Sequence, residues 1–113
     1  MGDRVLMQCW SSKTDEVGPV LYCHWGGRSA LATVDALRAQ MAGRGGDLEY
    51  ASARLVQCAI GESVSGNTGF GIRNFTRKLT AGNSEGDAGC VLIDVDTNFS
   101  VQCVGGYLAP PVG

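Results

Sequence analysis

The chain has 113 residues and a mass of 11.8 kDa, room for one domain and little more. Apolar residues make up 44% and charged residues 18%, too rich in core formers for a solvated disordered polymer, and the 17 glycines follow no Gly-X-Y period, which excludes a collagen. A net charge of −2 with a pI near 5.2 argues against a generic nucleic-acid binder, and no apolar run approaches the roughly 20 residues of a membrane helix. The first residues carry neither the basic region nor the apolar stretch of a secretory leader, so the expectation is a soluble cytoplasmic protein.

Arg4 to Trp10 and Pro19 to Trp25 are strand-like runs separated by a polar, turn-rich segment, which predicts a hairpin. Alternation places Val5, Met7, Cys9, Leu21, Cys23 and Trp25 on one face and Gln8, Trp10, Tyr22 and His24 on the other. The first set is the more uniformly apolar and is assigned to the core. Ser29 then stands as a helix N-cap before Leu31, Val34, Leu37 and Met41, an apolar stripe at spacings of three and four. The run Gly43-Arg44-Gly45-Gly46 stops that helix. Asp47 caps a second one, with Glu49 in its first turn and Leu48, Ala51, Leu55, Val56, Ala59 and Ile60 as its stripe, ending at Gly61.

Residues 61–89 are glycine-rich and read as a loop-rich insertion, with Phe70, Ile72 and Phe75 available for a short strand or a buried anchor. Cys90 to Val104 is the clearest element. A turn at Asp96-Thr97-Asn98 pairs Val95 with Phe99, Ile93 with Val101 and Val91 with Cys103, so that all six share one face, and Asn98 suits the left-handed position of such a turn. That register keeps Cys90 away from Cys103. Residues 105–113 read as an extended, fraying tail. The order hairpin, two helices, loop, hairpin predicts a single α+β domain over 1–113, an antiparallel sheet of two hairpins with both helices packed on one face.

Five cysteines without a Cys-x-x-Cys read as reduced, buried thiols rather than a metal site, and no metal or other cofactor is expected. His24 is the only histidine. Its neighbour Cys23 should point to the opposite face, which weakens a Cys–His enzyme without removing it as an alternative. Gly66-Asn67-Thr68-Gly69-Phe70-Gly71, followed by Arg73, Arg77 and Lys78, suggests an anion-binding loop and so a nucleotide or other small-ligand binder. It lacks the Lys-Ser/Thr ending of a P-loop, and an ordinary loop is its simpler reading. Asp94 and Asp96, two apart on a strand, should both point to solvent. With Glu85 and Asp87 they give residues 79–113 four acids and no Lys or Arg, an acidic rim that either keeps an edge soluble or docks a basic partner.

The segment Val20-Leu21-Tyr22-Cys23-His24-Trp25-Gly26-Gly27 resembles a hairpin of small phage and prophage proteins, in which a Tyr-x-His-Trp-Asp-Gly-type signature precedes the helix. Here Gly26 replaces the acid of that signature and the proline-containing turn that follows it is missing. The resemblance implies a phage-encoded accessory protein in the bacterial cytoplasm, of the kind that includes inhibitors of host defence such as anti-CRISPR proteins. Such a protein would act by stoichiometric binding to a host complex, and Trp10, Tyr22, His24, Asp94 and Asp96 are the expected contact residues, with no membrane partner and nucleic acid disfavoured.

Overall fold

A computed structural model of the chain describes residues 2–61 and 69–110. The elements run β1 (Val5–Trp10), β2 (Val17–Cys23), α1 (Ala30–Gln40), α2 (Leu48–Ile60), β3 (Phe70–Arg73), β4 (Gly89–Asp94) and β5 (Ser100–Val104), with short 3-10 turns at Gly27–Ser29 and Ala81–Asn83. The fold is α+β: one open sheet of five strands in the order β3-β2-β1-β4-β5, with two helices. Both hairpins form. In the second, Ile93 pairs with Val101 and Val91 with Cys103, while Cys90 lies opposite Val104, the register that the alternation dictates. Asn98 takes the left-handed conformation at φ 54°, and Phe99 beside it does so at φ 56°.

The sheet is mixed rather than antiparallel throughout, because β1 and β4 pair in parallel, Val5 opposite Gly89 through Trp10 opposite Asp94. The helices supply the crossover that a parallel pair needs. They cover one face, where Val5, Met7, Cys9, Leu21, Cys23, Val91 and Ile93 pack with Val34, Leu37, Met41, Ala51 and Leu55. On α1 the inward stripe runs through Ala30, Val34 and Leu37 and is continued by the buried C-cap residue Met41. Leu31, about 100° further round the helix, is 43% exposed instead of joining the core. Ser29 belongs to the 3-10 turn and makes no side-chain cap, whereas the Asp47 carboxylate accepts from the Tyr50 amide at 3.1 Å as a cap should.

The opposite face is also covered. Leu6, Val20, Cys90 and Leu92 are buried beneath Leu79, with Phe75, Trp10 and Tyr22 packed around them. Gln8, expected on an open face, is fully buried at its centre. Its Nε2 donates to the carbonyls of Gly18 at 3.1 Å and Arg77 at 3.0 Å, and its Oε1 accepts from the Leu79 amide at 2.8 Å. One carboxamide thus straps residues 77–79 across the sheet. The tail, expected to fray, is docked as far as Leu108: the Tyr107 amide donates to the Asp87 carbonyl at 3.0 Å, and Leu108 packs on the core. Val101, expected on the shared apolar face of this hairpin, is exposed on the edge strand β5.

The strap yields a stability prediction. Gln8→Ala strands two buried carbonyls and one amide, so urea unfolding should show a loss of about 2–4 kcal/mol. Gln8→Leu, which refills the volume, should recover little of it, because the same backbone groups stay unpaired.

Candidate functional site

The residues expected to form an open contact face are instead drawn into the fold. Trp10 is half-buried, with the Lys78 ammonium 4.0 Å from its ring centre. Tyr22 lies under the Arg73 guanidinium at 4.7 Å, and its hydroxyl is 2.7 Å from His24 Nδ1. Asp94 is buried rather than solvent-facing, its Oδ1 accepting from the amides of Ser12 at 3.2 Å and Asp96 at 3.0 Å. Burial works against its ionisation, but the hydrogen bonds from Ser12 and Asp96 outweigh it and hold the carboxyl below its ordinary range. Asp96 accepts from the Ser11 hydroxyl and, at 3.0 Å, from the Lys13 amide. The two acids of the expected rim therefore pin the turn after β1.

A different set converges at the other end of the sheet. Gly2, Asp3, Trp25, Arg28, Asp87 and Tyr107 line a cleft of about 720 Å³. Trp25, expected in the core, is 56% exposed, and Tyr107 is 55% exposed. Strand β2 ends at Cys23, so the alternation that would have turned Trp25 inward has already ceased. The Trp25 ring stands edge-on to His24, with centroids 4.5 Å apart, and rests on Gly69, where φ is +69° and a Cβ would come within 2.5 Å of the indole. Asp3 organises the centre: its carboxylate accepts from the Tyr107 hydroxyl at 2.6 Å and the Arg28 amide at 2.9 Å. The Tyr107 phenol, donating to that carboxylate, holds its proton above the usual range. Gly27 lies beneath, packed so closely against Asp3, Tyr107 and Ala88 that no side chain fits there. On the far wall the Arg4 amide, at 3.0 Å, and guanidinium, at 3.1 Å, both donate to Asp87 and keep its carboxyl below the ordinary range.

The expected anion site divides. Arg73 is committed to an ion pair with Glu85 and to the face of Tyr22. Arg77 and Lys78 instead line a separate cleft of about 410 Å³ with Asn74, Phe75, Thr76, Thr80 and Asn83. Gly66, Asn67 and Thr68 of the proposed glycine cradle lie outside the described residues.

Cys23 is buried in the helix-side core while His24 bonds Tyr22 on the other side, so the two do not meet. Burial pushes the Cys9 thiol up to about 12 and that of Cys23 to about 11. All five cysteines are free, and among the described residues no group of three or more His, Cys, Asp or Glu could hold a metal ion. No described helix is long and apolar enough to cross a membrane. Comparison with known proteins finds no matching family model, no matching curated protein and no matching solved structure.

Two measurements check these environments. A thiol reagent at pH 8 should modify the half-buried Cys58 and Cys103 first and reach Cys9, Cys23 and Cys90 only on unfolding. Glu85 and Asp87 titrate lower in the fold than in the unfolded chain, because each is hydrogen-bonded to an arginine. As pH falls, protons therefore bind preferentially to the unfolded state. Their contribution, complete at neutral pH, should fade below about pH 4. A chain carrying Glu85→Gln and Asp87→Asn should lose less stability between pH 5 and pH 3 than the parent, as read by urea unfolding at each pH.

Proposed function

We propose that this chain acts by stoichiometric protein binding, as a phage-encoded accessory protein that inhibits a host defence complex such as CRISPR-Cas. The observation that carries the binding reading is the Asp3 cleft, where Trp25 and Tyr107 stand more than half exposed on either side of paired charges. Large aromatics fixed beside satisfied polar groups are what interface anchors require: wide apolar area, little entropy to lose on ordering, and a rim whose polar groups already have partners. The backbone beneath them is rigid, since Asp3, Gly27 and Tyr107 are tied to each other and to the Asp87–Ala88 segment. The identity of the partner class rests on the likeness of the Tyr22–Gly27 hairpin to phage proteins. The burial of the Cys23 thiol, well away from the histidine's hydrogen-bond partner, weighs against the Cys–His alternative.

The test is an interference assay. In bacteria whose CRISPR-Cas system targets a plasmid, expression of the chain should restore transformation. The purified chain should co-elute with a component of that complex at a fixed ratio. Trp25→Ala and Tyr107→Ala should each weaken that association about tenfold or more while leaving the unfolding midpoint nearly unchanged. Full interference with every defence system tried, and no co-eluting component, would overturn the proposal.

A further inference from the structure

The second cleft has no part in that reading. It is built on the strap, and its cations face no carboxylate: among the described residues the ion pairs are Arg4–Asp87, Arg38–Asp35, Arg44–Asp47 and Arg73–Glu85, and neither Arg77 nor Lys78 joins one. Among the described residues no acidic one lines the cleft, in a chain whose net charge is −2.

Its donors are held in place from below. The Gln8 carboxamide binds the Arg77 carbonyl and the Leu79 amide, so the backbone carrying Arg77 and Lys78 is fixed at both ends. Lys78 rests on the Trp10 ring, which limits its swing without neutralising its charge. Asn83 turns its Oδ1 to the Thr80 amide at 2.8 Å and the Thr80 hydroxyl at 3.1 Å, which leaves its Nδ2 as a donor. Phe75 adds an apolar wall.

We propose that this cleft is a binding site for a nucleoside phosphate. Arg77 and Lys78 take the phosphate oxygens through charge-assisted hydrogen bonds, Thr76 and Asn83 supply neutral donors beside them, and Phe75 offers its face to the base. The class follows from the lining. Two cations with neutral donors and no acid suit a phosphate, and the adjacent ring distinguishes a nucleotide from a bare anion.

Trp10, in contact with Lys78, is a built-in reporter. In a Trp25→Phe chain the remaining indole fluorescence should change saturably on titration with AMP and ATP, more weakly with inorganic phosphate, and not with adenosine. Raising the salt should weaken the response, as expected of a phosphate held at a solvent-exposed site. Arg77→Gln with Lys78→Gln should reduce AMP affinity about tenfold or more. Both side chains are exposed, so the fold should survive, and Arg77→Gln alone repeats the test if the double variant unfolds. Silence with every phosphate probe would overturn the proposal, and so would a response unchanged by the Gln variants. A response to a single-stranded oligonucleotide but not to AMP or ATP would overturn it in favour of a nucleic-acid surface. None of these results bears on the Asp3 cleft.

Discussion

The Gln8 carboxamide sits in the middle of the central strand, shut off from water, and offers one donor group and one acceptor to a segment that has no secondary structure to satisfy it. Two helices suffice to cover only one face of the sheet. The other face carries Leu6, Val20, Cys90 and Leu92, too much apolar surface to leave wet in so small a domain. An irregular cover brings its own unpaired amides and carbonyls into the interior. Gln8 resolves that conflict with a single side chain. It fixes which residue of the strap faces inward, Leu79, and so which residues face outward, Arg77 and Lys78.

The parallel pairing of β1 with β4 arranges everything else. Parallel neighbours end at the same edge of a sheet, so the turns that follow β1 and β4 lie side by side. That is why carboxylates at 94 and 96 reach the backbone of residues 12 and 13. At the opposite edge the starts of β1 and β4 meet the ends of β2 and β5. Asp3 and Arg4 thereby come together with Asp87, Trp25 and Tyr107, residues up to 104 positions apart in the chain. An antiparallel pairing of the two hairpins would have sent these partners to opposite ends of the sheet.

The hairpins, the second helix with its Asp47 cap and the register of Cys90–Val104 were legible in the sequence, because each is a local pattern of period two or 3.6. Three kinds of feature were not. The direction in which one hairpin meets another is a non-local choice that no alternation encodes. Parity fails where strands stop: alternation points Trp25 into the core, whereas the ring, beyond the end of β2, is exposed. And polarity does not equal exposure: alternation puts Gln8 and Asp94 at the surface, yet both are buried with their hydrogen bonds made. A signal for Gln8 was present. Val5 to Trp10 is apolar at every position but one, the pattern of a strand covered on both faces, and a lone amide inside such a run implies a backbone partner.

Among the described residues, the buried side chains of Gln8, Ser11 and Asp94 are spent on the chain's own backbone and turns. The buried thiols are held in their neutral form by the same low-dielectric surroundings. A fold that uses its interior polar chemistry this way leaves its uncommitted polar and aromatic groups at the surface: Arg77 and Lys78 on the strap, Trp25 and Tyr107 at the sheet end. Arg73 with Glu85 and Arg4 with Asp87 form ion pairs of their own, apart from Arg77 and Lys78. Charges paired at contact distance contribute little field beyond a Debye length, so Glu85 and Asp87 add little negative potential to the stretch between the two surfaces.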